Sequence, residues 1–550
     1  MSEGSTKIGA ASDRLDSWKE IAAYLRKDVR TVQRWEKNEG LPVYRHQHDK
    51  LGSVYASRVE LDTWFNKRLQ LPEPKIAKSK IRLAVLPFAN LSHDPAQDYL
   101  SDGLTEEMIA ELTRLQSPEL AVIARSSVMQ YRSGHSIEQL RQTLRIDYVV
   151  EGSVRHAAGR VRITAQVVNL RDQTQLWART YERDLHDVLA LQAEIAQTIT
   201  DAIHNLIGHP EARPIRDKQR KPHTVDPAAY DSYLKARYHL HGMSAETISR
   251  SIEHFERAIQ HDPRFASAYA GLASACALLA MVPFDLLPPR QAMSKAEHAA
   301  QRSLELDETN AEAHVALALV RHHYQWDWAG AESSYKKAIE LNPSYASAHL
   351  WFSWLLLAVD RRKDAWNEID RALAVVQDTD PHRLVAVQAT RAAAHYFARD
   401  YQRAAEECER ALELNPDYFM LHYILGRAYA RLGRHAKAIG QLKLQTAQIG
   451  RIPLMDAGAG LALAVTGRKE EARKIIAALK AAAQKRYVPA TYFGMLYAGL
   501  GEKSEALNWL EKAYEERADG LTWLNVDPML DDLRPDPRFQ ELVKRIGLAR

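Results

Sequence analysis

The chain has 550 residues, 46% hydrophobic and 26% charged, the proportions of a soluble globular protein with room for three or four domains. Gly 24 and Pro 22 make about 8% of the chain against roughly 12% on average, which excludes collagen-like chains and leans towards helix. The formal charge is +4, but residues 1–80 hold 16 Lys/Arg against 11 Asp/Glu, so the positive excess sits at the N-terminus, as contact with an anionic partner requires. Cys276 and Cys408 are too few for a disulfide framework or a four-cysteine zinc site.

Met1 to Arg14 is polar and lacks the apolar core of a signal peptide. Ser17-Trp18-Lys19-Glu20 is a capping box with Ser17 as N-cap. Trp18, Ile21, Ala22 and Leu25 then fall on one face of a short helix. After a second cap at Asp28, the next helix turns Val29, Val32 and Trp35 inward and Arg30, Thr31, Gln33, Arg34 and Lys37 outward. Arginine pairs with guanine edges, glutamine with adenine, and threonine or lysine holds phosphate, so this face is the candidate DNA-reading surface. Leu41 to His46, a turn at Gly52 and Ser53 to Ala56 read as a two-stranded wing, adding Arg45, His46 and Lys50 to that surface. Ser57 to Phe65 closes the core as a third helix. Residues 1–70 resemble the excisionase and MerR-type winged helix-turn-helix family over about 50 positions, most specifically at Thr31-Val32-Gln33-Arg34-Trp35. The resemblance implies double-stranded DNA as partner. One departure is Arg26, in a turn that often carries glycine. His46, His48 and Asp49 are polar wing-tip residues rather than a metal site. One small winged domain makes few base contacts, so specific binding calls for two copies on neighbouring half-sites, a homodimer for instance, or for help from basic linkers.

Residues 71–80 form a stiff basic linker, and 81–208 read as an α/β domain of order β-α-β-α-β-β-β-α. The strands are Ile81 to Phe88, Val122 to Ala124, Tyr148 to Arg155, Val161 to Leu170 and Gln175 to Tyr181, the last three as an antiparallel meander turning first at Ala157-Ala158-Gly159. The helices are Gly103 to Leu115, Ile137 to Leu144 and Leu185 to Leu206. Ala84 to Leu91, Ser101-Asp102-Gly103-Leu104-Thr105-Glu106-Glu107, Tyr148 to Val154 and Leu176-Trp177-Ala178 resemble the TolB N-terminal-like domain over about 125 residues. Asp102, Glu106 and Glu107 read as an N-cap and first-turn acids favoured by the helix dipole, not as a metal or catalytic cluster.

A second basic linker spans 209–226, and the remainder is helical and repetitive. Gly433-Arg434, Gly467-Arg468 and Gly501-Glu502 recur every 34 residues, each followed five positions on by Ala438, Ala472 and Ala506. Asp262-Pro263, Asn342-Pro343 and Asn415-Pro416 end helices. A 34-residue period with two helices per unit is the tetratricopeptide signature. Leu425, Gly426, Tyr429 and Ala438, with Phe493, Gly494, Tyr497, Ala506 and Ala513, resemble that family's consensus. About eight hairpins over 227–520, with a Pro-rich insertion near Val282 to Pro289, form a superhelix whose groove takes a protein or peptide. Residues 521–550 cap it, with Leu524, Leu530, Leu533, Phe539, Leu542 and Val543 covering the last hairpin.

The chain lacks a Gly-x-x-x-x-Gly-Lys-Ser/Thr loop, a Gly-x-Ser-x-Gly elbow and a His-Glu-x-x-His motif. Gly458-Ala459-Gly460 lies in a repeat and lacks the third glycine of a dinucleotide fingerprint. A nucleotide cyclase is the enzymatic neighbour such a middle domain would have, and the winged region stands in its place. The expectation is a multidomain, non-enzymatic, cytoplasmic regulator without cofactor, metal or membrane span: winged helix-turn-helix, TolB-like α/β domain and all-α tetratricopeptide superhelix. The alternative is an assembly scaffold that does not bind DNA.

Overall fold

The computed structural model describes residues 14–25, 29–45, 54–61, 81–92, 98–114, 120–123, 146–157, 160–184, 194–199, 225–240, 244–281, 287–376, 381–448 and 452–549, and also 64, 128, 131, 140, 191, 201 and 202. The chain divides into two compact units, Met1–Ser79 and Lys80–Arg550.

The first unit runs β1 (Arg14–Leu15), α1 (Trp18–Tyr24), α2 (Val29–Glu39), β2 (Tyr44–Arg45) and β3 (Val54–Ser57), followed by helical residues at 58–61 and 64. Its sheet has the order β1-β3-β2, antiparallel throughout. Strand β1 is absent from the sequence reading, because two residues carry no alternation to detect; Leu15 opposite Ala56 roofs the core. That core gathers Leu15, Ile21, Ala22, Val32, Trp35, Leu41, Val54, Ala56 and Leu61. Arg26, Asp28 and residues 46–53, where a wing tip is expected, lie outside the described residues.

The second unit begins with β4 (Ile81–Val85), β5 (Ala89–Asn90), α3 (Asp98–Arg114), β6 (Leu120–Val122), β7 (Tyr148–Ala157), β8 (Arg160–Asn169) and β9 (Thr174–Asp184). The sheet order is β6-β4-β7-β8-β9, with β5 paired to β7. Strand β4 is parallel to β6 and β7, while β7, β8 and β9 form an antiparallel meander. Along β8, Val161, Ile163, Ala165 and Val167 are buried and Arg160 and Arg162 exposed, the alternation of a sheet with one covered face. Ile195, Ala196 and Ile199 belong to the buried core. The turn at 158–159, most of the helix expected at 137–144, and both basic linkers, except 225–226 at the second one's end, lie outside the described residues. One expectation fails. Helix α3 starts at Asp98, so Asp102, Glu106 and Glu107 sit inside it, beyond the first turn where a helix dipole acts.

The helical part pairs α4 (Pro227–Leu240) with α5 (Ala245–His261), α6 (Ala266–Ala280) with α7 (Pro289–Leu306), α8 (Ala311–Val320) with α9 (Trp328–Leu341) and α10 (Ala346–Ala358) with α11 (Arg362–Val376). Four more pairs follow: α12 (Pro381–Phe397) with α13 (Tyr401–Leu414), α14 (Phe419–Arg431) with α15 (His435–Gln448), α16 (Pro453–Val465) with α17 (Lys469–Ala483), and α18 (Ala490–Leu500) with α19 (Lys503–Glu516). Residues Arg321–Gln325 extend α8 as a π-helical turn. Two 3-10 turns, Asp519–Trp523 and Pro528–Leu533, and α20 (Pro537–Arg545) end the chain. Leu521, Leu524, Leu530, Leu533, Phe539 and Leu542 are buried in one cluster with Ala506, Leu507 and Leu510 of α19, and Val543 packs against it. Trp326 joins the same cluster and stacks on Tyr514 at 5.2 Å, and the Trp328 indole donates to the Ile546 carbonyl at 2.7 Å. The third hairpin therefore meets the eighth, and the superhelix closes on itself.

Leu533 has no exposed surface, so Leu533→Ala is expected to cost about 2–5 kcal/mol. Removing 521–550 is expected to lower the melting temperature and promote association, because terminal repeats need a cap. Denaturant unfolding and light scattering read both, and an unchanged midpoint with a monodisperse truncated protein refutes the role.

Candidate functional site

The Ser17 hydroxyl accepts from the Glu20 amide at 3.2 Å, and the Glu20 carboxylate accepts from the Asp16 amide at 3.0 Å and the Ser17 hydroxyl at 3.1 Å. Both ends of the box are thereby satisfied, one residue earlier than a strict capping box, and α1 starts at a fixed point. Helix α2 packs on it with Val32 and Trp35 fully buried, and Trp35 lies 5.7 Å from Trp64. With those two positions inward, Gln33, Arg34 and Lys37 are exposed and Thr31 is half-buried. Arg30 lies in α2, but its side chain, His46 and Lys50 fall outside the described residues. Arg45 is exposed on β2 and reaches back to α2, pairing with Glu36 at 2.8 Å. Tyr44 and Tyr55 stack at 5.4 Å, and the Arg14 guanidinium lies 3.9 Å from the Tyr55 ring centre. The Glu60 carboxylate accepts the Tyr44 hydroxyl at 3.2 Å and, as a neighbouring negative charge, raises the phenol pKa. The Arg14 and Glu36 contacts escape sequence reasoning, since each joins segments with no shared period.

Two of the three acids of α3 have a different task. Arg237 of α4 donates to Glu106 at 2.7 and 3.1 Å and to both oxygens of Glu312 at 3.1 Å. Tyr233 donates to Glu107 at 2.8 Å. One turn earlier a Cβ at Gly103 would overlap the Leu234 side chain, so glycine is what lets α3 lie along α4. Among the described residues no group of three or more His, Cys, Asp or Glu side chains is placed to hold a metal ion.

Across the inner face of the superhelix lies the chain's own C-terminal segment. Arg427 of α14 donates to both oxygens of Asp527 at 2.6 Å, its guanidinium 4.6 Å from the Tyr396 ring centre and 5.3 Å from that of Tyr423. Arg399 binds Asp531 at 2.8 Å. Trp523 stacks on Phe397 at 5.4 Å and meets Trp354 edge-on at 5.1 Å. His323 bonds Asp519 at 2.5 Å. The groove expected to hold a peptide is thus filled, over the third to sixth hairpins, by residues 519–531. Elsewhere a cleft of about 500 Å³ between α11, α12 and α13 is lined by Trp366, His395, three arginines and three acids. None of the described helices is long and apolar enough to cross a membrane.

Residues 79–198 match the HilA/YgeH-like transcriptional regulator, second domain, and 390–449 match the tetratricopeptide repeat. "Putative adenylate cyclase 3" of Rhizobium meliloti is 33% identical over 276 residues, which cover 48% of this chain and 45% of that protein. Transcriptional regulator HilA of Salmonella typhimurium is 22% identical over 305 residues, covering 55% of this chain and 52% of that protein. The chain spans about half the length of these relatives. Pseudomonas aeruginosa pilF (20% identity, TM-score 0.31) covers 40% of this chain and 91% of its own. A human IFIT1 dimer with m7Gppp-AAAA (15% identity, TM-score 0.41) covers 61% and 80%. The chain thus joins tetratricopeptide repeats to a domain like that of a HilA-type transcriptional regulator.

His322 is fully buried, its ring 3.9 Å from that of His323, and neither of its nitrogens has a hydrogen-bond partner among the described residues. Burial, then the neighbouring His323, holds its pKa well below 6.5. The unfolded chain binds this proton near pH 6.5 and the folded chain does not, so stability falls as pH drops below about 6.5, at up to about 1.4 kcal/mol per pH unit. Melting temperatures from pH 7.5 to 5 should fall less steeply for His322→Phe than for wild type. Parallel curves would exclude His322 as a source of the slope.

Proposed function

We propose that this chain is a DNA-binding transcriptional regulator: residues 1–70, a winged helix-turn-helix, read the duplex, and the α/β and tetratricopeptide unit receives a protein signal. One observation carries the reading. A regulator-type second domain at 79–198 directly follows a separately folded unit whose α2 buries Val32 and Trp35 and leaves Gln33, Arg34 and Lys37 in solvent. An exposed Arg/Gln/Lys face on a rigid helix suits major-groove readout, and the local positive charge supplies the phosphate attraction. Arg30, Arg34 and Gln33 face base edges, while Thr31, Lys37, Arg45, His46 and Lys50 hold backbone. The ion pair to Glu36 keeps Arg45 beside α2. In this reading the protein works in the cytoplasm as a regulator rather than an enzyme, and Glu106 and Glu107 serve to hold Arg237 and Tyr233. Because residues 519–531 occupy the inner face of the middle hairpins, the signalling protein engages the solenoid elsewhere.

Arg34→Ala is expected to cost about 1–3 kcal/mol on a selected duplex and to flatten discrimination between duplexes. Lys50→Ala is expected to weaken all duplexes alike and reduce the salt slope by about one unit. Anisotropy titrations of the full chain at several salt concentrations test both. If wild type binds no duplex at low salt the reading fails, and an assembly scaffold takes its place.

A further inference from the structure

Beyond residue 80 the chain is acidic, with one exception. Residues 431–486 hold 12 Lys/Arg against 3 Asp/Glu, while 81–430 and 487–550 together hold 46 against 56. The excess lies mainly on α15 and α17, the second helices of the sixth and seventh hairpins. Helix α14 turns inward, where Arg427 meets Asp527, and its partner α15 is exposed at Ala436, Lys437, Gly440 and Lys443. The acids of α17 are already engaged. Glu471 accepts from Arg468 at 2.6 and 2.7 Å, and Glu470 accepts from Arg473 at 2.7 Å. Arg473 also donates to Glu502 at 2.8 Å. Lys443, Lys469, Lys474 and Lys485 are exposed and make no ion pair or hydrogen bond among the described residues. Two of them converge from different hairpins. The Glu471 carboxyl is held below its usual range first by its bond to Arg468, then by the charges of Arg468, Lys443 and Lys474. Cations gathered without counter-charges repel one another and weaken a fold, a cost that an anionic partner offsets.

The composition of the face selects the kind of anion. Binding energy at protein interfaces concentrates in aromatic and other large side chains that fill pockets on the partner. Among the described residues α15 and α17 expose no large apolar side chain. Between the lysines lie Ala436, Gly440, Ala477, Ala478 and Ala481, all exposed, and a Cβ at Gly440 would meet nothing within 4 Å. The face offers charge without anchors. Arg468 and Arg473, of the residue type that forks onto guanine edges, are tied to glutamates, whereas lysine acts on phosphate as a point charge. Such a surface holds a nucleic-acid backbone and reads no bases.

We propose that the outer side of the sixth and seventh hairpins is a second, sequence-independent contact for duplex DNA, with Lys443, Lys469, Lys474 and Lys485 on phosphates. The identity of the partner rests on the DNA-reading proposal, but the residues are separate from those of α2 and the wing.

The test combines Lys443→Gln, Lys469→Gln, Lys474→Gln and Lys485→Gln in the full chain, with anisotropy titrations on a selected and a scrambled duplex across a range of salt. Affinity for both duplexes is expected to fall about tenfold or more at about 100 mM salt, and the slope of log K against log salt to shrink by about three units. The ratio between the duplexes should stay as in wild type. All four positions are exposed, so the circular dichroism spectrum should match wild type and the melting temperature should be no lower. A control carrying Lys336→Gln, Lys337→Gln, Lys363→Gln and Lys544→Gln removes the same charge from exposed positions elsewhere in the same unit, and its slope is expected to change by less than about one unit. An unchanged slope in the first variant overturns the proposal, as does an equal loss in the control. Unchanged duplex binding with lost binding to poly-L-glutamate also overturns it and assigns the face to an acidic protein. Arg34→Ala separates the two proposals. If it leaves discrimination intact while the lysine variant loses slope, the α2 reading fails and this contact stands; the opposite pattern removes this contact alone.

Discussion

A guanidinium taken out of water must have its donors met nearby or the fold loses several kcal/mol. Arg237 meets that demand with two acids from opposite sides, Glu106 of the α/β part and Glu312 of the third hairpin. Much of the second unit follows from satisfying it. Helix α3 must lie along α4, which requires Gly103 opposite Leu234, and the same register delivers Glu107 to Tyr233. The first hairpin is likewise fixed against the third. Sheet and solenoid therefore form one compact unit from Lys80 onward, and a force on the hairpins reaches the sheet through a saturated ion triad rather than a loose linker.

Inside the superhelix the same constraint acts on the C-terminal segment. Arg427 and His323 lie on inner helices and pair with Asp527 and Asp519. Between them Trp523 fills the space beside Phe397 and Trp354. The segment also carries too much apolar surface to remain in water: Leu521, Leu524, Val526, Leu530 and Leu533 all fall at or below 3% exposure. Once the hairpins curve far enough for Trp326 to reach Tyr514, the inner surface is the nearest place to bury it. Over the third to sixth hairpins this segment takes the place expected for a peptide, which the repeats alone do not announce because the segment lies outside their period.

What was legible in the sequence was local or periodic. The Ser17–Glu20 box, the inward Val32 and Trp35, and the 34-residue spacing each depend on residues a few positions apart or on a fixed period. The recurring Gly433, Gly467 and Gly501 have φ of +71°, +81° and +79°, the left-handed corner that glycine enters without strain and that turns each hairpin. The arginine, glutamine and lysine face of α2 could be read because helical geometry alone projects it outward. Strands β1 and β5, of two residues each, give no alternation to read. The ion contacts that assemble the molecule join residues 75, 100 and 196 positions apart, and no spacing rule reaches that far. The acidic run at 102–107 was visible as a cluster, but its meaning lay in Arg237.

Hairpins built on one repeat pattern raise a problem of register that apolar burial does not solve. Leucines of the C-terminal segment would find Ala- and Leu-lined surfaces on several inner helices, since the repeats are alike by construction. Arg427 has no such counterpart: the positions 34 before it, 34 after it and 68 after it are Ala393, Leu461 and Met495. A segment displaced by one hairpin would bury the Asp527 carboxylate against an aliphatic side chain, at a cost of several kcal/mol. Replacing a buried pair by apolar residues of equal volume is often neutral or even stabilising, whereas removing one partner costs about 3–5 kcal/mol. The Arg427–Asp527 pair therefore contributes little net attraction and instead penalises every wrong register. Burial of the leucines drives the closure, and this ion pair, together with His323–Asp519 and Arg399–Asp531, opposes closing on the wrong hairpin.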